Sequence, residues 1–221
     1  MQKMSYGYVG KSFQVSSSKC PYEFDESVKR DGFKLIAGVD EAGRGPVAGP
    51  VVAAAVILPD SFKIKGIRDS KKVPEKEREY LFWHILSYAL DIGVGIIDSD
   101  EIDRINILRA TKQAMHNAVT DLTNKPDIIL IDAVTIPSIK IYQVPIIKGD
   151  AKSASIAAAS IVAKVVRDGI MMQYHSMYPQ YEFDKHKGYA TEAHLNKIEK
   201  YGPCPIHRKS FQAVMNLTLP F

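Results

Sequence analysis

Residues 35–58 restrict the possible folds more than any other stretch of this chain. Leu35-Ile36-Ala37 and Val51-Val52-Ala53-Ala54-Ala55-Val56-Ile57-Leu58 are apolar runs that read as buried strands, and the Gly/Pro-rich turn between them breaks both. That turn, Gly38 to Pro50, also carries Asp40, Glu41 and Arg44. Two adjacent carboxylates therefore stand where a core strand ends. A carboxylate at the mouth of an apolar core loses hydration unless a cation, a donor or a metal compensates it. Taken alone, the pair is equally compatible with acids that face water from an ordinary turn. A dinucleotide-binding fingerprint is excluded: Gly43-x-Gly45 is followed by Pro46, and Gly49 comes one residue late.

Further along, the motif of an acid at a strand end recurs. Ile128-Ile129-Leu130-Ile131 is a continuous apolar run, the pattern of a central parallel strand, and it ends in Asp132. Tyr142 to Ile147 reads as a fifth strand, with Pro145 placing it at an edge, and Lys148-Gly149-Asp150 follows it. Asp150 is also readable as an N-cap of the Ala/Ser-rich helix expected over Ala151 to Asp168. The third strand, Ile92 to Ile97, contains glycines that permit close packing, and Ser99 or Asp100 is the expected cap of the helix after it.

The helices follow from 3.6-residue periodicity. One spans about Pro74 to Leu90 with Tyr80, Leu81, Ile85 and Leu86 inward; in the next, Leu108, Met115, Val119 and Leu122 form core, and Asn124 to Asp127 ends it. The last third reads as helices over Ile170 to Tyr178 and Thr191 to Tyr201 joined by loops. Residues 1–33 lack a sustained period and read as a leader with a short helix, leaving 34–221 as one domain whose C-terminal part, from about 170, is helical. At 221 residues and 46% hydrophobic, the chain can bury a full core as one domain. No apolar run approaches the ~18 to 20 residues of a membrane span, and no secretory signal opens the chain, so no membrane role and a cytoplasmic location are expected. Cys20 and Cys204 read as free thiols.

Charge is distributed unevenly. Residues 139–211 hold 9 Lys and 2 Arg against 6 Asp and Glu, a net +5, while the remainder nets −1, so a polyanion meets mainly the C-terminal third. His186-Lys187-Gly188-Tyr189-Ala190-Thr191 and His207-Arg208-Lys209-Ser210-Phe211 combine cations with an aromatic ring, as a nucleic-acid surface requires.

Asp40-Glu41 with Gly43-Arg44-Gly45 resembles the first motif of the type 2 ribonucleases H, the bacterial ribonuclease HII family. Asp69-Ser70-Lys71-Lys72, Asp132 and the two basic segments extend the resemblance over roughly Leu35 to Phe211. One departure stands out: Ala133 follows Asp132 where the family usually has Gly, which stiffens the turn and leaves the carboxylate in place. The resemblance implies a ribonuclease H-like α/β fold, a five-stranded mixed sheet flanked by helices with the first three strands antiparallel and the last two parallel. It implies an endonuclease, expected as a monomer, that cuts the RNA strand of RNA/DNA hybrids and nicks duplex DNA 5′ of embedded ribonucleotides, leaving 3′-hydroxyl and 5′-phosphate ends.

Asp40, Glu41, Asp132 and Asp150 converge if their strands are neighbours. Two carboxylates ~4 Å apart repel by about 4 kcal/mol at an effective dielectric of 20, so a positive group is required between them. Mg²⁺, a hard ion with oxygen ligands, fits, as does Mn²⁺ by resemblance; the scattered His and Cys provide no zinc spacing. Resemblance further assigns Gly43, Arg44, Gly45 and Tyr189 to the ribonucleotide, Tyr189 at its 2′-hydroxyl, and Lys71, Lys72, Lys187 and Arg208 to the substrate backbone. Two alternatives remain at this point: a type 3 ribonuclease H, against which Arg44 argues, and a hybrid-binding module without catalysis, which leaves the four acids unexplained because carboxylates repel phosphate.

Overall fold

A computed structural model describes residues 4–8, 11–15, 20–60, 63–67, 70 and 73–218. The chain begins with an antiparallel pair, β1 (Met4–Tyr8) and β2 (Lys11–Val15), followed by helix α1 (Pro21–Arg30). The central sheet comprises β3 (Ile36–Ala42), β4 (Val51–Ile57), β5 (Asp91–Ile97), β6 (Ile128–Asp132) and β7 (Tyr142–Ile146), in spatial order β5-β4-β3-β6-β7. β3, β4 and β5 are antiparallel neighbours, whereas β6 and β7 join parallel to β3, the arrangement expected. Pro145 lies on the edge strand β7, where its missing N–H interrupts no inner ladder.

Side-chain alternation on β4 builds the layers. Ala54 and Val56 face α5 (Ala154–Met177) and α2 (Glu75–Tyr88), while Val51, Ala53 and Ala55 face α4 (Ile107–Thr120) on the opposite side. Small residues bring the layers together. A methyl added to Gly38 of β3 would stand 2.0 Å from the backbone of Ser155, and one on Gly95 of β5 would stand 2.0 Å from the carbonyl of Ala114, so both helices approach the sheet at glycine distance. α1 closes the third side, burying Phe24 and Val28 against Ile36, Leu130 and Ile156. Its Asp25 accepts the Ser155 N–H at 2.8 Å and the Ser155 hydroxyl at 2.7 Å, which fastens the expected short helix to the core.

Several expectations need correction. Leu81 and Ile85 of α2 are buried, but Tyr80 and Leu86 are exposed, because α2 meets α5 along one i, i+4 row. Leu108, in the first turn of α4, is exposed, while Met115 and Val119 are core. Asp98, one residue ahead of the expected cap, caps α3 (Ser99–Ile105) by accepting the Glu101 N–H at 2.9 Å. α4 stops at Thr120, ahead of Asn124. No break separates Asp168 from Ile170: α5 continues to Met177 because its glycine, Gly169, faces open space and Pro179 is the first residue unable to continue it. Beyond it lie α6 (Phe183–His186), α7 (Glu192–Tyr201) and α8 (Gln212–Thr218), packed on Val47, Ala48 and Met171. Among the described residues no helix is long and apolar enough to cross a membrane.

Candidate active site

Parallel pairing sets Val39 of β3 opposite Ile131 of β6, so the next residue on each strand, Asp40 and Asp132, reaches the same end of the sheet. Asp40 is buried and accepts the N–H of Glu41 at 2.7 Å on Oδ1; its carboxyl also bonds the Ser160 side chain of α5. Burial, then the charges of Glu41 and Asp132, hold the Asp40 carboxyl well above the ordinary carboxylate range. Asp132 Oδ1 accepts the N–H of Gly149 at 2.8 Å, which ties the 3₁₀ turn Gly149–Ala151, and Asp150 within it, to the end of β6. Ser153, by accepting the Ile156 N–H, is the cap of α5, so the alternative reading of Asp150 as that cap fails. Three acid-bearing segments thus meet at one sheet end. Among the described residues no three His, Cys, Asp or Glu side chains close into a ready metal cage; the donors gathered here are carboxylate oxygens, with Asp40 and Asp150 buried and Glu41 and Asp132 half-buried.

Glu41 faces Arg44 at 3.3 Å across the start of the Gly-rich turn. That turn is held from below by two buried arginines. Arg208 donates to the carbonyls of Gly43 (2.6 Å), Pro46 (2.6 Å), Gly49 (2.9 Å) and Arg44 (3.1 Å). Arg167 of α5 donates to Pro50, Ala48 and Lys187 carbonyls at 3.0, 3.1 and 3.0 Å. Gly43 has φ +100, and a side chain there would strike the Arg167 guanidinium at 2.2 Å, so glycine is required on both counts.

The expected phosphate contact from Arg208 therefore gives way to another role: the residue is fully buried, and its guanidinium shapes the turn. A charge read in sequence as a phosphate contact is an internal clamp. Lys187 is partly exposed and its ammonium caps the Asp184 carbonyl and touches Met172 Sδ. Tyr189 is exposed and so is no part of the core, and an added Cβ at Gly45 would lie 3.8 Å from its Cε1. Gly45 and Tyr189 thus border one exposed surface, while Gly43 is buried against Arg167. Asp69, Lys71 and Lys72 lie outside the described residues; Ser70 is buried with its Oγ 2.7 Å from Ser160 Oγ, so Ser160 bonds both Asp40 and Ser70.

Ser160 and Arg167 are residues that sequence reading passes over. Their signal was available: Ser160 and Arg167 are seven residues apart and share a face of α5, Ser160 meeting Asp40 and Arg167 the turn that follows it.

Comparison with known proteins first gives the class. Ribonuclease H2 from Pyrococcus horikoshii shares the fold with a TM-score of 0.69 at 28% identity, over 83% of this chain and 97% of that one. The RNase HII of Archaeoglobus fulgidus, solved in a complex with PCNA, matches with a TM-score of 0.70 at 25% identity, over 84% and 98%. The fold is that of the ribonucleases H. Residues 37–214 match the family described as Ribonuclease HII. Ribonuclease HII of Caldanaerobacter subterraneus subsp. tengcongensis is 54% identical over 188 residues, 85% of this chain and 78% of its own, and that of Geobacter metallireducens is 52% identical over 199 residues, 90% and 93%. The chain belongs to the ribonuclease HII family and is a type 2 ribonuclease H.

Proposed function

We propose that this ribonuclease H is a divalent-metal-dependent endonuclease that hydrolyses the RNA strand of RNA/DNA hybrids and nicks duplex DNA on the 5′ side of embedded ribonucleotides, leaving 3′-hydroxyl and 5′-phosphate ends. It acts as a monomer in the cytoplasm. The observation that carries the reading is the buried Asp40 carboxyl, destabilised by Glu41 and Asp132 at a sheet end that opens beside Gly43, Gly45 and Tyr189. An all-oxygen donor set under mutual repulsion suits Mg²⁺ or Mn²⁺. Asp40, Glu41, Asp132 and Asp150 would hold the ions, which supply Lewis acidity to the phosphodiester and its attacking water.

The chain's own groups do the rest. Gly43 and Gly45 let backbone approach the ribonucleotide, Arg44 stands at the rim beside Glu41, and the Tyr189 hydroxyl meets the 2′-hydroxyl. A site built to hydrogen-bond a hydroxyl rejects the analogue lacking it, because its own polar group is then stranded. Lys187, Lys71 and Lys72 contribute positive charge along the backbone. The test is cleavage of a duplex with a single ribonucleotide, with and without Mg²⁺ or Mn²⁺, with product ends identified by ligation. Metal-independent cleavage, or ends other than 3′-hydroxyl and 5′-phosphate, would overturn the reading.

A further inference from the structure

Behind Tyr189 lie three imidazoles that no step of the proposed reaction uses. His194 and His207 are fully buried; His186 stacks on His194 with ring centroids 4.2 Å apart, and Phe183 meets all three rings. Every ring nitrogen has a partner. His194 Nδ1 lies 2.8 Å from the Tyr189 carbonyl, and His194 Nε2 lies 3.0 Å from His207 Nε2. His207 Nδ1 accepts the Cys204 N–H at 2.9 Å, nearer than Cys204 Sγ at 3.1 Å, whose thiol can also donate to it, and nearer than the Cys204 carbonyl at 3.3 Å.

These contacts determine where the protons sit. A carbonyl only accepts, so His194 carries its proton on Nδ1 and its Nε2 is an acceptor. A backbone N–H only donates, so His207 Nδ1 is an acceptor and its proton is on Nε2. The two requirements agree: His207 Nε2–H donates to His194 Nε2. A single directed chain results, Cys204 N–H to His207 to His194 to the Tyr189 carbonyl. His186 adds a second tether, since its Nε2 donates to the Tyr181 carbonyl at 2.8 Å and its Nδ1 accepts the Gly188 N–H at 3.2 Å.

The backbone of the segment is also held elsewhere: Arg167 donates to the Lys187 carbonyl at 3.0 Å, and the Tyr189 N–H donates to the His186 carbonyl at 3.0 Å, so the histidine chain acts at the one Tyr189 backbone group that these leave, its carbonyl. Lys187 and Gly188 have φ +50 and +85, the Gly188 carbonyl accepts the Val47 N–H at 2.9 Å, and the Tyr189 carbonyl also accepts the Thr191 N–H at 2.8 Å. The Tyr189 ring projects outward toward Gly45.

We propose that His207 and His194 form a positioning pair for Tyr189: their directed hydrogen-bond chain sets the backbone of residue 189, and through it the placement of the tyrosine ring against Gly45 that selects ribose. The proposal rests on the reading of Tyr189 as the ribose contact. His194 and His207 are positioning residues and touch no substrate.

The test compares two polar replacements of His194. Asn places its amide near the Nδ1 position and keeps a donor for the Tyr189 carbonyl; Gln places its amide near Nε2 and loses it. On a duplex with a single ribonucleotide, His194→Asn is expected within about threefold of the unmutated kcat/KM and His194→Gln about tenfold lower, since small misplacements of positioning groups cost that much. In a Tyr189→Ala background the Gln substitution should change kcat/KM by less than about twofold, because the group it positions is gone. Equal activity of the Asn and Gln variants, or effects of Gln and Tyr189→Ala that multiply, would overturn the positioning role. Full activity of Tyr189→Ala would overturn the ribose-contact reading itself, and the proposal with it. Imidazole ¹⁵N chemical shifts of the unmutated protein provide a test that needs no variant to fold: protonated Nδ1 on His194 and protonated Nε2 on His207 support the chain, and any other pair of tautomers overturns it.

Discussion

Arg167 and Arg208 grip the same Gly-rich turn from two sides, and their seven hydrogen bonds end on backbone carbonyls. Both are buried, and Arg208 is brought down to about 9 by loss of solvent and by the neighbouring charge of Arg167. A guanidinium suits this task because its planar fork of five donors meets several carbonyls at once, whereas an ammonium is a single point. The clamp explains how a loop of residues with few side chains holds one shape next to the acids.

Arg208 and Lys187 should consequently differ as variants. Arg208→Ala strands three buried carbonyl contacts and one partly buried one and is expected to cost about 3 kcal/mol or more of stability, with Arg208→Lys recovering little of it. Lys187→Ala is expected to leave urea unfolding nearly unchanged while lowering the slope of log affinity for a hybrid against log salt by about one. An Arg208→Ala protein as stable as the unmutated one would show that the clamp is dispensable.

Asp40→Asn should separate stability from activity. Asn retains an oxygen for the Glu41 N–H and removes a buried charge that Glu41 and Asp132 repel. The expected outcome is loss of cleavage together with a gain of roughly 1 kcal/mol, or about 3 °C in melting temperature for a chain of this length. Because the carboxyl is raised in the folded protein, its contribution to stability falls as pH rises above the ordinary carboxylate range, and the gain in the Asn variant should be larger at pH 8 than at pH 4. A gain that is the same at both pH values would contradict charge repulsion as its origin.

Ala133, directly after Asp132, has φ +57. A left-handed backbone costs a residue with a Cβ about 1 kcal/mol, whereas glycine adopts it freely. Part of that is offset because glycine also frees the unfolded chain. Ala133→Gly is therefore expected to raise stability by roughly 0.5 kcal/mol, with cleavage unchanged, as measured by chemical denaturation. Destabilisation by the same amount would mean that the turn relies on the alanine methyl.

The buried histidines predict a pH dependence of stability. Loss of solvent lowers His194 and His207 from 6.5 to about 4, against a smaller opposing effect of their backbone hydrogen bonds to Tyr189 and Cys204; His186, Cys204, Tyr181 and Tyr189 are the other titratable groups around them. Between those values the unfolded chain holds protons that the folded chain does not. Stability is then complete above about 6.5 and declines as pH falls toward about 4, by up to ~1.4 kcal/mol per pH unit for each histidine. Asp25 and Asp40, raised by burial, act in the opposite direction, so the informative quantity is the difference between the unmutated protein and His207→Gln. That variant should show a shallower acid limb in unfolding free energy, and an unchanged limb would remove His207 as its source.

Local pattern along the chain was enough to define the elements and the chemistry available at their ends. Apolar runs of strand length terminate in Asp40 and Asp132, a third is followed by Asp150, and Pro145 marks an edge, because periodicity and turn residues are local properties of the chain. Neighbour relations were beyond it. That β3 lies between β4 and β6, so that Asp40 and Asp132 share one sheet end, depends on long-range pairing that no local pattern encodes; resemblance anticipated it, periodicity did not. Burial of charge was equally hidden. Arg208 sits in a basic run that reads as a nucleic-acid surface, and only packing of the C-terminal segment under the Gly43–Pro50 turn makes it internal, because a charged side chain is buried when enough acceptors surround it from distant parts of the chain. The proton arrangement of His194 and His207 was decided at the same level, by which groups the fold sets against each ring nitrogen.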